Sequence, residues 1–311
     1  MSKIKIAIIA GGWSRERDIS IKSGTAVYEA LDKDRYSVTM YDPRNNLEIL
    51  MKNSQSIDLA FILLHGKFGE DGCIQGLLNI LNIPFVGSGV LASAMASNKK
   101  TAKDIYKCAG LKVINDVTLK KGTAFSVEEI LDFLGPKTIV KPISEGSSFG
   151  ISVCKNRDEL QGGIEKAFIY DNEVMVEKFL SGREVTCCVL GNDSLETLPI
   201  IEIIPDNGHI FFDYEAKYTK GASKEICPAA LSPDIADRVI QCAKTAHHAL
   251  RCRVWSRTDM IVSEEGIFIL ETNTIPGMTE NSLVPLSAKA AGMSLSQLLD
   301  KLIGLSLEQQ A

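Results

Sequence analysis

The sequence predicts an α/β protein that begins with a doubly wound parallel sheet and continues into two α+β units. Apolar stretches without alternation, such as Ile4–Ala10 and Leu59–Leu64, are separated by segments with helical spacing. Such stretches are typical of strands buried on both faces of a parallel sheet. Further along, short strands surround a Gly/Ser loop, which favours antiparallel pairing. A chain of 311 residues is long enough for two or three modest domains.

The first predicted unit covers residues 1–95. After the opening strand, Ile19, Ala26, Val27, Ala30 and Leu31 fall at helical spacing. The buried run Leu59–Leu64 is followed by a predicted helix over Ile74–Leu81 and an extended segment at Pro84–Val86. This order predicts the parallel sheet of the first unit.

The second predicted unit covers residues 96–182, and the helix-forming stretch Leu91–Ala109 leads into it. Its predicted strands are Thr138–Pro142, Ile151–Cys154 and Val174–Glu177. An amphipathic helix is predicted between the last two strands, where Leu160, Ile164, Ala167 and Phe168 share one face. The order predicts an α+β unit.

The third predicted unit covers residues 183–311. Its predicted strands are Glu184–Leu190, Leu198–Ile204, Arg253–Val262 and Ile267–Glu271. A polar loop over residues 206–228 is long enough to predict a lid. The last helix begins at Ser294, with Gln297 three residues later as a capping box.

Composition excludes several classes of protein. Hydrophobic residues make up 45% and charged residues 23%, as in ordinary globular domains rather than disordered chains. Lys and Arg total 34 against 39 Asp and Glu, so the net charge is −5. We therefore expect neither nucleic acid nor an anionic membrane as a partner, because both require a concentrated basic surface.

The chain start and the cysteines suggest a cytoplasmic protein. The apolar run that ends at Ala10 is short and stops at two glycines, so a buried strand explains it better than a signal peptide. No run approaches the length of a membrane span. The eight cysteines contain no C-x-x-C pair, and we expect most to be small buried side chains.

Two glycine-rich segments follow predicted strands of the first unit. The first, GGWSRERDIS from Gly11, is either an anion-binding turn at a helix start or a plain strand–helix turn. Glu16 would repel phosphate and suits a substrate ammonium group instead. The second segment, HGKFGEDGCIQG from His65, is either a ligand-binding loop or a solvated turn.

A third segment combines a strand with a loop suited to phosphate binding. In TIVKPISEGSSFGI, Lys141 lies at a strand end, and the small residues Ser147 and Ser148 allow backbone N–H groups to fold over phosphate oxygens. The alternative to a phosphate-binding loop is an ordinary β-hairpin turn. Glu177 and Lys178 end the next strand, where an acceptor beside a donor would match an adenine edge.

The C-terminal segments Arg257–Asp259 and Glu271–Thr279 predict a metal site. Glu271 and Asn273 are two residues apart on a strand, so both side chains face the same side. With Asp259 they supply three oxygen ligands, a set that suits Mg²⁺ bound to ATP. A salt-bridged strand pair is the alternative.

Together these motifs resemble the D-alanine–D-alanine ligase family of ATP-grasp enzymes. The resemblance runs through the whole chain and is carried by GGWSRERDIS, HGKFGEDGCIQG, GSGVLASA, KPISEGSSFGI, EKFLSGREVT, DYEAKY, RTD and ETNTIPGMTENSLVP. It implies an ATP-grasp fold in which the two α+β domains enclose ATP. It also implies synthesis of D-alanyl-D-alanine through an acyl phosphate, for peptidoglycan.

The resemblance also implies residue roles. Glu16 and His65 would bind the first D-alanine, Arg257 and the Gly277 amide would form an oxyanion hole, and Ser282 and Leu283 would bind the second carboxylate. ATP would contact Lys99, Lys141, Ser147, Ser148, Glu177, Lys178, Phe179, Leu180, Glu184 and Lys217, the last also near substrate. Two Mg²⁺ ions, or Mn²⁺, would bind Asp259, Glu271 and Asn273, and a monovalent cation such as K⁺ would assist. Ser147 and Tyr218 would join Glu16 in closing the lid.

Three departures from the family pattern lie near these sites. Ser97-Asn98 precedes Lys99 where the family usually has Met-Asp, Phe179 replaces a frequent Trp, and Ser256 replaces a frequent Gly. None removes a catalytic group.

Three rival functions remain at the level of sequence. A relative that uses D-lactate is disfavoured by Lys217–Tyr218, because ester-forming relatives usually lack the tyrosine. A relative that uses D-serine as the second substrate stays open. An inactive nucleotide-binding module would not need Arg257. An NAD-dependent enzyme would require a fingerprint that the chain lacks. The resemblance also implies a homodimer through the N-terminal domain.

Overall fold

The computed structural model describes residues 3–146, 149–205 and 223–308 of the chain. The first unit alternates strands and helices: β1 (Ile4–Ile9), α1 (Arg17–Ala30), β2 (Tyr36–Tyr41), α2 (Pro43–Lys52), a 3₁₀ turn (Ser54–Ser56), β3 (Leu59–Ile62), α3 (Cys73–Ile80), β4 (Phe85–Val86) and α4 (Val90–Ser97). The sheet order is β2-β1-β3-β4, and every pairing is parallel. The predicted parallel sheet is confirmed.

The sequence reading missed β2 and α2. The strand β2 lies at the edge of the sheet, where only part of its surface is covered, and its exposed residues weaken the apolar pattern. Asp42 caps α2 by accepting a hydrogen bond from the backbone of Arg44, and Pro43 begins the helix. The Asp42–Pro43 pair is thus the sequence pattern from which α2 could have been predicted.

The helix-forming stretch 91–109 contains two helices rather than one. After α4 ends at Ser97, Asn98 caps α5 (Lys99–Cys108) by accepting a hydrogen bond from the backbone of Thr101 at 2.9 Å. The break places Lys99 at the start of α5, where its backbone N–H donates to the Ile143 carbonyl at 3.2 Å. The helix is thereby joined to the central sheet.

A central antiparallel sheet follows α5 and the short strand β5 (Lys112–Val113). Its elements are β6 (Asp116–Lys120), α6 (Val127–Leu134), β7 (Thr138–Pro142), β8 (Ser152–Cys154), α7 (Arg157–Ala167) and β9 (Glu173–Lys178). The order is β6-β9-β7-β8 with every pairing antiparallel, as predicted. The observed β7 coincides with the predicted strand.

The third unit contains the largest sheet. Its elements are β10 (Arg183–Gly191), β11 (Leu195–Thr197), β12 (Ile201–Pro205), β13 (Ser223–Ile226), α8 (Pro233–Ala249), β14 (Val254–Ser263), β15 (Gly266–Asn273), α9 (Leu283–Ala290) and α10 (Leu295–Leu307). The order is β13-β12-β10-β14-β15-β5, and β11 pairs with β10. Residues 223–226 of the predicted lid loop form β13, whereas residues 206–222 lie outside the described residues.

Two connections cross the predicted unit boundaries. The strand β5 pairs in parallel with β15, so it belongs to the largest sheet although it precedes the central one. Leu298, Leu299 and Leu302 of α10 share a core with Ile6 and Ile8 of β1. The capping box of Ser294 and Gln297 at the start of α10 is confirmed. No helix in the described ranges is long and apolar enough to cross a membrane.

Candidate active site

The site is a cleft of about 900 Å³ that is lined by residues from all three predicted units. Of the predicted site residues, those that line the cleft are Glu16, His65, Lys99, Arg257, Glu271, Asn273, Gly277, Ser282 and Leu283. A narrower cavity of about 120 Å³ shares Lys99 and Glu271 with the cleft. The predicted residues that it adds are Lys141, Glu177, Leu180, Glu184 and Asp259.

The glycine turn after β1 is closed by hydrogen bonds within the protein. The Gly11 N–H donates to Oγ of Ser20 at 2.7 Å, and the Gly12 N–H donates to Oδ1 of Asp42 at 2.9 Å. Arg17 also donates to Asp42, at 2.6 Å. Both glycine amides therefore have protein acceptors, which favours the plain strand–helix turn over the anion site.

Glu16 follows that turn and is buried, with 7% of its surface exposed. A β-carbon built on Gly66 or on Gly146 would lie 3.0 Å from its Oε2 atom. The carboxylate thus lies where the loop after β3 meets the Gly/Ser loop of the central sheet. A side chain at either glycine would crowd it, which explains why small residues occupy both positions.

His65 begins the loop after β3 and is also buried. Its Nδ1 atom lies 3.6 Å from Oε1 of Glu70, whereas its Nε2 atom has no hydrogen-bond partner in the residues that the structure describes. Burial lowers the pKa of His65. The hydrogen bond and charge of Glu70, together with the charge of Glu16, raise it by a larger amount, so the pKa lies above its usual value. The loop therefore presents a buried, polar ring beside Glu16.

Two lysines of the predicted nucleotide site, Lys99 and Lys141, have different partners. Lys99 Nζ donates to the Glu145 carbonyl at 2.6 Å, so it ties α5 to the Gly/Ser loop. Lys141 Nζ pairs with Oε2 of Glu177 across the central sheet. Burial raises the pKa of the Glu177 carboxyl. Lys141 and a second lysine, Lys103, lower it by a larger amount, so the pKa lies below its usual value.

Lys178 and Phe179 are placed away from this cavity. Lys178 is half exposed, and its Nζ lies 3.9 Å from Oε1 of Glu265. The ring of Phe179 packs against Lys137, whose Nζ lies 3.4 Å from the ring centroid. Leu180, the next residue, does line the cavity, so the segment passes along its edge.

The three predicted metal ligands lie on the adjacent strands β14 and β15. Asp259 pairs with Glu271, and Arg257 pairs with Asn273, so the ligands are brought together at one end of the sheet. Arg257 binds Asp259 through two hydrogen bonds of 2.9 and 2.8 Å. Thr186, opposite Asp259 on β10, donates to its Oδ1 at 2.5 Å. These donors fix the orientation of the carboxylate.

The turn after β15 brings Gly277 beside the start of α9. Oγ of Ser282 accepts from the Thr279 N–H at 3.0 Å, and a β-carbon on Gly277 would approach that same Oγ to 3.0 Å. Leu283 is the first residue of α9. Backbone N–H groups at a helix start favour a carboxylate, so this corner is suited to an anionic substrate group.

Four predicted residues cannot be placed. Ser147, Ser148, Lys217 and Tyr218 lie outside the described residues. Their roles stay predictions.

Three residues of the site were missed by the sequence analysis. Lys103 and Asp116 join the buried ion pairs around Glu177, and Thr186 orients Asp259. Lys103 lies one helical turn after Lys99, so both could have been assigned to one face of α5. Thr186 carried no signal, because its role depends on the pairing of β10 with β14.

Comparisons with known proteins show the family of this chain. Family models described as the N-terminus and C-terminus of D-ala D-ala ligase match residues 5–56 with 43–88 and residues 105–304. The D-alanine–D-alanine ligase of Syntrophobacter fumaroxidans is 52% identical over 306 residues, which cover 98% of both chains. That of Desulfotalea psychrophila is 50% identical over 309 residues, or 99% of this chain and 96% of the relative.

Solved structures agree as well. The D-alanine–D-alanine ligase of Bacillus anthracis complexed with ATP superposes with a TM-score of 0.86 at 35% identity, covering 98% of both chains. The VanG D-Ala:D-Ser ligase of Enterococcus faecalis gives 0.81 at 34% identity, covering 98% of this chain and 100% of that one. The predicted ATP-grasp fold is confirmed, and the chain belongs to the D-alanine–D-alanine ligase family.

Proposed function

We propose that this chain uses ATP to join two D-alanines into D-alanyl-D-alanine, a peptidoglycan precursor, through an acyl phosphate. The observation that carries the proposal is the convergence of Glu16, Arg257, Glu271 and Ser282 on one cleft. These residues come from distant parts of the chain, and Glu16, Glu271 and Arg257 supply charges of both signs. The names of the relatives, which span the whole chain, support the same reaction.

Glu16 is proposed to bind the ammonium group of the first D-alanine, with His65 near its methyl group. The burial of Glu16 supports this role, because a buried carboxylate gains most from a cationic partner. Anchoring the ammonium group would leave the substrate carboxylate free to accept the phosphoryl group.

The nucleotide is proposed to bind in the cavity between the central and largest sheets. Lys99 and Lys141 would contact phosphate oxygens, and Glu177, Leu180 and Glu184 the remainder of ATP. Ser147, Ser148, Lys178, Phe179 and Lys217 stay in the proposed ATP set by resemblance to the family. For Lys178 and Phe179 a backbone contact fits best, since their side chains pair with Glu265 and Lys137.

Asp259, Glu271 and Asn273 are proposed to hold two Mg²⁺ ions, with Mn²⁺ as a substitute, and K⁺ remains a proposed activator. The fit rests on donor chemistry, since two carboxylates and an amide from adjacent strands give hard oxygen ligands at one point. When bound, the metal would offset phosphate charge. Thr186 and Arg257 would keep Asp259 in the orientation that binding requires.

Arg257 and the Gly277 N–H are proposed to stabilise the tetrahedral oxyanion when the second amine attacks the acyl phosphate. The second carboxylate would bind at Ser282 and Leu283, at the start of α9. Water would hydrolyse the acyl phosphate and must be excluded, and Tyr218 with Ser147 and Glu16 is proposed to close the lid 206–228 over it.

The remaining proposals concern location and assembly. We expect a cytoplasmic protein and the domain division 1–95, 96–182 and 183–311, although β5 of the second unit pairs with β15 of the third. A homodimer through the N-terminal domain is supported by exposed apolar side chains on α1 and on the edge strand β2, namely Ile21, Tyr28 and Met40. Light scattering of the purified chain tests this assembly.

ADP release with Mg–ATP and D-alanine, with the product identified by mass spectrometry, tests the reaction. D-alanyl-D-alanine as the main product is expected. Parallel reactions with D-serine or D-lactate test the alternative second substrates, since the likeness to VanG D-Ala:D-Ser ligase means that the fold alone does not decide between them. ADP release only with one of these partners would overturn the D-alanine assignment, and no ADP release would overturn the ligase assignment.

A further inference from the structure

A buried lysine that none of the proposed catalytic roles uses lies behind the nucleotide cavity. Lys103 of α5 has 1% of its surface exposed. Its Nζ donates to the Ile114 carbonyl at 2.6 Å and to Oε1 of Glu177 at 2.5 Å, and it lies 2.9 Å from Oδ1 of Asp116. An ammonium group has three N–H donors, and three oxygens surround this one.

Glu177 is shared between two lysines. Lys103 forms an ion pair with its Oε1 atom on the side away from the cavity, whereas Lys141 forms an ion pair with its Oε2 atom on the cavity side. Lys141 and Glu177 both line the cavity, and Lys103 lies beneath them, with its side chain 2% exposed. The Glu177 carboxylate therefore lies between the buried Lys103 and Lys141, which lines the cavity and can contact a ligand.

The cluster is balanced in charge. Lys103 and Lys141 supply two positive charges, and Asp116 and Glu177 supply two negative charges on paired positions of β6 and β9. Lys107 is half exposed and approaches Asp116 only to 3.7 Å, so it lies at the margin. If Lys141 turned towards a phosphate, Glu177 would lose one of its two cations.

We propose that Lys103 is a positioning residue for nucleotide binding: it keeps Glu177 compensated, so that Lys141 can leave that carboxylate for a phosphate group. The inference rests on the proposed function, which places ATP against Lys141. Without Lys103, the buried carboxylate would depend on Lys141 alone, and separating that pair would carry the cost of an unpaired buried charge. Lys103 thus acts on ATP through Glu177 and Lys141.

The test compares Lys103→Met with the matched control Lys107→Met, which removes a cation one turn further along the same helix. Calorimetric titration with Mg–ATP measures affinity, and steady-state kinetics measure KM for ATP and for D-alanine separately. We expect Lys103→Met to weaken ATP binding about tenfold or more, with KM for D-alanine changed less than about twofold. Lys107→Met should leave both values unchanged.

A second pair of variants separates positioning from general support of the fold. In a Glu177→Gln background the carboxylate charge is gone, so adding Lys103→Met should change ATP affinity less than about twofold. If Lys103→Met alone does not fold, the Glu177→Gln background still tests the inference, because a loss of ATP affinity well above twofold on adding Lys103→Met there would overturn it. An equal loss of ATP affinity in the two backgrounds would show a structural role and overturn the inference.

The outcomes also separate this inference from the proposed function. Unchanged ATP affinity in Lys103→Met, or a parallel rise of both KM values, overturns the role of Lys103 while the ligase assignment stands. If the unaltered chain binds Mg–ATP but forms no dipeptide, the ligase assignment fails and the titrations still decide the role of Lys103. If the unaltered chain does not bind Mg–ATP, both proposals fail.

Discussion

His247 is a fully buried histidine in the last turn of α8, and replacing it with asparagine is expected to change how stability depends on pH. Its Nδ1 atom lies 2.7 Å from Oγ of Ser256, and its Nε2 atom has no partner in the described parts of the chain. Burial, and secondarily the charge of His248, lowers the pKa of His247 from 6.5 to about 4. The ring is therefore neutral in the folded protein at pH values where it is charged in the unfolded chain.

The sign and size of the effect follow from linkage. Because the folded-state pKa is depressed, the unfolded chain binds more protons between the two pKa values, and stability falls as pH decreases through that window. At about 1.4 kcal/mol per pKa unit, His247 should cost about 2 kcal/mol by pH 5 and about 3 kcal/mol by pH 4, relative to pH 7. Below the folded-state pKa, both states are protonated and the loss stops growing.

Urea unfolding of the unaltered chain and of His247→Asn at a series of pH values tests this estimate. Asparagine keeps an amide group near the position of Nδ1 but does not titrate, so the variant should lose about 2 kcal/mol less between pH 7 and pH 5. His248→Gln, on the exposed side of the same helix, should keep most of the pH dependence, because burial is the larger cause of the lowered His247 pKa. Equal losses in the unaltered chain and in His247→Asn would refute the reasoning, because they would mean that His247 titrates alike in both states.

Three further predictions concern the site and its support. Arg257→Ala should lower turnover about 100-fold or more by removing an oxyanion donor, while calorimetry should still detect ATP binding. Thr186→Val removes the hydroxyl donor to Asp259 and should lower the unfolding free energy by about 2 kcal/mol and raise the Mg²⁺ concentration for half-maximal activity. Tyr106→Phe removes a buried hydrogen bond of 2.8 Å to Thr272 and should cost about 1 kcal/mol in urea unfolding, with turnover unchanged.

Much of the fold could be predicted because it depends on local patterns. The strand Thr138–Pro142 is bounded by the residues that the sequence indicated, and the capping box at Ser294 marked the start of α10. The alternation of side chains along a strand also placed Glu271 and Asn273 on one face, and both line the cleft. These features require no knowledge of distant partners.

The features that were missed depend on distant partners. The two-residue strand β5 is recognisable only through its pairing with β15. Lys103 gains its role only when its side chain meets Asp116 of β6 and Glu177 of β9. The glycine turn suggested an anion site, but Ser20 and Asp42, the latter from the next strand's end, accept its N–H groups. Tertiary pairing decided each of these cases.

The packing of α10 against β1 affects the order in which the chain can complete its fold during synthesis. Ile6 and Ile8 share their core with Leu299 and Ile303, which are synthesised long after β1. Until then, part of one face of the first sheet lacks its apolar cover, a state that favours association with other nascent or unfolded chains. This part of the β1 core is therefore completed only when α10 has been synthesised.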